Sequence, residues 1–145
     1  MMERPASIIR FEQFYAGHIG IGLAGSLVAL FGPGSAARAQ ATEAVGPWLI
    51  PAVLGLAVVT QIALWYLIAH RASAVAKWVL VAFTAANVIV LAFLMFGIAT
   101  GIGAEARSAA GSAASVIASA LLLAAVAHLF RPDAKAWFGE GQEVT

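Results

Sequence analysis

The sequence contains no cysteine, which excludes a disulfide framework, a thiolate metal site, covalent haem attachment and a cysteine nucleophile. Charge is scarce as well. Asp, Glu, Lys and Arg make up 10% of the 145 residues, against roughly 25% in an ordinary soluble domain. A soluble domain of this size would lack the polar surface to cover itself, so a soluble enzyme, a disordered chain and a nucleic-acid binder are all excluded. The net charge of +1 creates no long-range field to select a partner. Also missing are a carboxylate pair, a serine–histidine–acid set and a phosphate-binding loop, so the chain does not read as an enzyme. Gly20-x-Gly22-x-x-Gly25 matches the dinucleotide fingerprint by letters alone, within an apolar segment that has no strand before it.

What is present is apolar: 62% hydrophobic residues, 14 glycines and a mean hydropathy of +0.93. Crossing a bilayer takes about 20 apolar helical residues. Four segments meet that need, at about 14–31, 48–69, 78–100 and 109–130, and none holds Asp, Glu, Lys or Arg. Lipid offers no partner to backbone polar groups, and the alternation of a membrane barrel is absent, so the segments read as helices. The expected fold is an all-α membrane protein, a four-transmembrane-helix bundle over the single domain 1–145, with a short C-terminal interfacial helix at 132–138. Gly32-Pro33-Gly34-Ser35 is expected to stop the first span and Gly46-Pro47 to start the second, with Pro51 still in its first turn. A polar link at 70–77 and a turn at 101–107, with Glu105 and Arg107, join the remaining spans. The last residues, 139–145, read as frayed.

Arg4, Arg10, Arg71, Lys77, Arg131 and Lys135 fall on one side of this topology, and Arg38 and Arg107 on the other. That bias puts both termini and the middle link in the cytoplasm. Trp48, Trp65, Trp78, Trp137 and Phe138 lie at or just inside the boundaries as interfacial anchors. Read differently, Arg4 to Ala39 is a cleavable signal peptide, which would leave three spans in the same topology. Its apolar core is longer than the usual 7–15 residues of such a signal, and Gly-Pro-Gly separates it from the small residues of a cleavage site.

Helices in lipid associate through small residues that let backbones approach. The first span is dense in them, with Gly17, Gly20, Gly22 and Gly25, and the fourth has Gly111, Ser115 and Ser119 at steps of four. They serve packing either within the bundle or against an outside partner; the face of Gly17, Gly20 and Ala24 is expected to meet another helix. The deep polar residues are Thr60 and Gln61 on the second span and Thr84 and Asn87 on the third. At about 1.5 Å per residue, Gln61 and Asn87 come to similar depth as an interhelical pair acting as structural glue. His18, His70 and His128 all lie toward the cytoplasmic face. Facing imidazoles hold a haem iron, and one alone holds a pigment magnesium or a metal ion. A histidine near the headgroups also simply turns its polar edge to water, so no cofactor and no metal is expected. Histidine precedes lysine by seven residues in both His70–Lys77 and His128–Lys135, but two exits on one side of a membrane need the same ending, and no duplication follows.

The opening Arg4-Pro5-Ala6-Ser7-Ile8-Ile9-Arg10-Phe11-Glu12, the closing Leu129-Phe130-Arg131-Pro132-Asp133-Ala134-Lys135-Ala136-Trp137-Phe138, and Leu64-Trp65-Tyr66-Leu67-Ile68-Ala69 with Ala76-Lys77-Trp78 after it resemble a family of small, uncharacterised four-span inner-membrane proteins of alphaproteobacteria. The resemblance covers about a quarter of the chain. It implies the bacterial inner membrane and implies no activity or site residue. The expected function is that of an accessory or assembly subunit acting through helix packing. Its partners would be the lipid bilayer and a second copy or a larger membrane complex, with no nucleic acid. The other classes are a small transporter or channel for a neutral solute, and a haem-, pigment- or metal-binding subunit using His18, His70 or His128.

Overall fold

Pro5 is extended (φ −59°, ψ 148°), and its carbonyl accepts the amides of Ile8 and Ile9 at 3.0 and 3.3 Å. In the computed structural model, which describes residues 4–32, 36–101 and 109–140, this contact opens helix α1, Ala6–Phe31. Ile8, Phe11 and Tyr15 recur at steps of three and four, so they share one face, and all three are fully buried. That buried face is why the helix begins well before the apolar run at residue 14. It ends at Gly32, held extended at ψ 157° as a residue before proline must be.

A second helix, α2 (Ala36–Val45), occupies what reads from sequence as a loop. Alanine has the strongest helix propensity, and Ala36, Ala37, Ala39, Ala41 and Ala44 supply it without any apolar period to betray it. Gly46, at φ +110°, closes α2 in a conformation that disfavours other residues. Helix α3 is Leu49–Ala69, and α4 is Ala74–Thr100, ending on Gly101 at φ +72°. The turn between them is tighter than the expected 70–77 link. The Ser73 amide bonds Leu67 O at 3.0 Å, and the Ser73 hydroxyl accepts the Ala76 amide at 3.2 Å, so α4 starts at once and Lys77 lies inside it. Helix α5 is Ala109–His128; after a turn at 129–131, Pro132 opens α6, Pro132–Trp137. Parts of the expected connections, at 33–35, 102–108 and 141–145, lie outside the described residues.

The described residues form helices and no strand, and α3, α4 and α5 are each long and apolar enough to cross a membrane. Helix α1 packs most extensively along α5, antiparallel to it: Gly22 faces Ala118 and Gly25 faces Ala114. Helix α4 also packs on α5, and α3 packs on α4 and α1. The core gathers at one end. It takes Ile8, Phe11 and Tyr15 from the start of α1, Leu64 and Ile68 from the end of α3, Leu80 from the start of α4, Leu122 and Ala125 from the end of α5, and Ala134 from α6. Away from that end α4 is covered only along the stripe Thr84, Asn87, Leu91, Leu94 and Gly97.

Of the face expected to meet another helix, Gly17 lies on the close seam between α1 and α5, while Gly20 and Ala24 do not. Gly20 is exposed, with nothing within 4 Å of an added Cβ, and Ala24 is exposed too. A Cβ added to Gly17 would lie 3.3 Å from the Leu121 side chain, and one added to Gly25 only 2.7 Å from the Cβ of Ala114. Glycine density reveals a close approach, but the helical phase decides which glycines make it. Gly25→Leu is therefore expected to cost about 1–3 kcal/mol by pushing α1 from α5, and Gly20→Leu to change stability little. Thermal unfolding of the two variants in one detergent checks this.

Candidate functional site

Polar side chains are costly inside an apolar bundle unless they meet one another or water. Tyr15 and His18 from α1 and Thr60 and Gln61 from α3 meet around a cavity of about 10 Å³, closed by Leu64, Leu80, Phe83 and Leu122. That volume suits a single water molecule. The Tyr15 ring stacks on Phe11 at 5.2 Å and on His18 at 5.9 Å, which fixes its place. His18 Nδ1 donates to the Ala118 carbonyl at 2.9 Å, so that nitrogen carries the hydrogen and Nε2 of the neutral ring keeps its lone pair. The Gln61 Oε1 is buried without a hydrogen-bond partner. Beside the cavity, an apolar groove of about 240 Å³ runs between α1 and α3, lined by Tyr15, Ala16, Ile19, Ile62 and Trp65.

The expected Gln61–Asn87 pair does not form. The tight turn at Ser73 sets Gln61 level with Leu80 and Phe83, a helical turn short of Asn87, which is half-buried on the α4 stripe. Thr84 satisfies its hydroxyl within its own helix, donating to Leu80 O at 2.8 Å. The three histidines fall in separate places, each against an aromatic ring: His18 on Tyr15, His70 beside Trp65 and Tyr66, and His128 flat on Phe14 at 5.5 Å. Among the described residues no group of three His, Asp or Glu side chains is placed to hold a metal ion. On α5, only Ser119 of the small-residue series is buried; Ser115 is exposed and bonds Gly111 O, because steps of four drift round a helix.

The segment after α5 is bound to three different helix ends. Asp133 Oδ2 accepts the Ser7 amide at 3.1 Å, one of the donors in the first turn of α1 that Pro5, without a capping side chain, leaves unserved. Trp137 Nε1 donates to Ile68 O at 3.3 Å, near the end of α3. Lys77 of α4, 1% exposed, donates to both carboxylate oxygens of Glu140 at 2.6 and 2.8 Å. Around its ammonium lie the rings of Phe130 at 4.8 Å, Phe138 at 5.1 Å and Trp78 at 5.8 Å. Trp137 and Phe138 thus lean half-buried against the core instead of lying free along a surface, and Glu140 is bonded rather than frayed. Trp48 and Trp78 are exposed, and Trp65 is half-buried. Nothing local in the sequence announces these contacts, which join residues 126, 69 and 63 positions apart.

The Ser7 hydroxyl is buried without a partner of good hydrogen-bond geometry. Its dipole first, and the Ser7 amide second, hold the Asp133 carboxyl below its ordinary value of 3.8. Fold and site together define a helical protein with membrane-type apolar helices, one end of which is closed by its own C-terminal segment. No family model, no curated protein and no solved structure matches the chain.

Two outcomes follow from these contacts. Because the folded carboxyl of Asp133 titrates below its unfolded value, its contribution is fully present above 3.8 and is lost as pH falls through the lower folded value. Asp133→Asn is expected to flatten that part of the profile of melting temperature against pH. Gln61→Leu, which removes an unpartnered buried carbonyl, is expected to raise stability by on the order of 1 kcal/mol. A loss of stability in denaturation of that variant would instead mean that a water joins Gln61 to its polar neighbours.

Proposed function

We propose that this chain is a four-span subunit of the bacterial inner membrane, with both termini cytoplasmic, that acts by helix packing in a larger assembly. The observation that carries the proposal is the outer surface of α4. Along its most apolar stretch only 11% of the residues are buried in the molecule, and Val90, Phe93 and Phe96 are 66%, 71% and 60% exposed. Apolar side chains of that size around most of a helix suit lipid together with a partner helix. The 26 residues of α1, antiparallel to α5, support a further span. Orientation is supported by Arg4, Arg10, Arg71, Arg131 and Lys135, all exposed at the end where the C-terminal segment closes. The cavity at Tyr15, His18, Thr60 and Gln61, with room for about one water, favours a structural role for these groups over passage of a solute.

Reporter fusions after Ala41 and Thr145 are expected to read outside and inside respectively; an inside signal at Ala41 or an outside one at Thr145 contradicts the topology. Purification from the native membrane in mild detergent is expected to yield one defined complex. The Phe93→Ala, Phe96→Ala variant is expected to lose that complex while keeping the melting temperature of the isolated chain. A visible absorption band would favour cofactor binding instead, and a chain that purifies only with lipid would contradict the assembly role.

A further inference from the structure

Helix α3 ends in a cluster of three rings. His70 is its C-terminal cap, with its amide donating to Tyr66 O at 2.9 Å. The His70 imidazole stacks on the Tyr66 ring, with centroids 5.2 Å apart and planes 16° from parallel, and meets the Trp65 ring at 5.0 Å and 72°. Successive positions on a helix point about 100° apart, so one imidazole beyond the last turn ties together two rings that would otherwise diverge. His70 is exposed and Trp65 is half-buried. Trp65 also lines the apolar groove of about 240 Å³ between α1 and α3, opposite Ala16 and Ile19. Of the acids on the helices packed at this end, Glu12 pairs with Arg4, Asp133 accepts the Ser7 amide and Glu140 holds Lys77. The other charged groups there, Arg10, Arg71, Arg131 and Lys135, are exposed cations, and Arg71 is the nearest in sequence. His18 and His128 stand against other rings, those of Tyr15 and Phe14. A positive charge gained at His70 therefore meets two aromatic rings and the carbonyl end of α3, which attract it, against cations that water and salt screen.

We propose that His70 is a proton-operated clamp on Trp65, and through it on the groove between α1 and α3. Histidine is the side chain that changes charge between pH 5 and 8, and an exposed ring answers directly to the aqueous phase. The imidazolium holds the Trp65 and Tyr66 rings together at the end of α3 and fixes Trp65 as a wall of the groove. The neutral imidazole attracts the rings less, so Trp65 turns more freely and the groove changes width at Ile19 and Ile62. The proton thus shifts the equilibrium by the difference in its interaction with the two arrangements. The clamp needs no protein partner and is independent of the assembly role.

The test is NMR of the full chain in nanodiscs, labelled with fluorotryptophan and with methyl-labelled isoleucine, titrated from about pH 8 to about pH 5. The Trp65 fluorine signal, assigned by its loss in Trp65→Phe, is expected to shift and to narrow as the pH falls. The Ile19 and Ile62 methyl signals should shift with the same midpoint, while Ile98, near the far end of α4, stays unchanged. His70→Gln should abolish all three shifts. His70→Phe, which keeps the ring contacts without the charge, should hold the signals independent of pH as well. His18→Gln should leave the shifts in place, which separates His70 from the histidine beside Tyr15. Signals that do not change over this range, that still change in His70→Gln, or that disappear with His18 instead overturn the proposal. A shift confined to Trp65 also overturns it, because the clamp would then not reach the groove.

Discussion

Residues 132–140 bind the end of the bundle together, and most of the ordered packing lies beneath them. Helix ends leave amides and carbonyls without partners, a cost that grows where water is thin. Here the Ser7 amide, the Ile68 carbonyl and the Lys77 ammonium each receive a group from Asp133, Trp137 and Glu140. Lys77 is the most demanding of the three. A buried ammonium that loses its carboxylate costs about 3–5 kcal/mol, and the rings of Phe130 and Phe138 alone do not replace it. Burial of Lys77 and closure by Glu140 are therefore one requirement.

The two ends of the molecule differ for this reason. Under the closing segment, α1, α3, α4 and α5 share a core of Phe11, Tyr15, Ile68, Leu80 and Leu122. Farther along, α1 and α5 stay together by backbone approach at Gly22 and Gly25, while α4 keeps one covered stripe and turns Phe93 and Phe96 outward. Apolar side chains are exposed along the whole of α4, from Val75 to Phe96, which fits the packing role proposed above.

The apolar runs that became α3, α4 and α5 were legible because lipid-compatible length and the absence of charge are local properties. Pro132 marked the start of α6 in the same local way. The start of α1 at Ala6 was less legible: Ile8, Phe11 and Tyr15 are periodic, but Arg10 and Glu12 interrupt the hydropathy. Helix α2 has propensity without a pattern. The candidate site was legible only as residue types. His18 and Gln61 stand out as polar groups in apolar runs, yet their grouping with Tyr15 and Thr60 depends on the register set by the Ser73 turn. Lys77 read as a loop cation because its carboxylate, Glu140, lies 63 residues away and no local pattern connects them.

Amide hydrogen exchange on the full chain and on a chain ending at Arg131, both in the same nanodiscs, tests the central role of the closing segment most directly. The account predicts faster exchange in the truncated chain at the start of α1, the end of α3 and the start of α4, with the Gly22–Gly25 and Ala114–Ala118 segments unchanged. Exchange that stays the same at those three helix ends, or rises evenly along every helix, would contradict it.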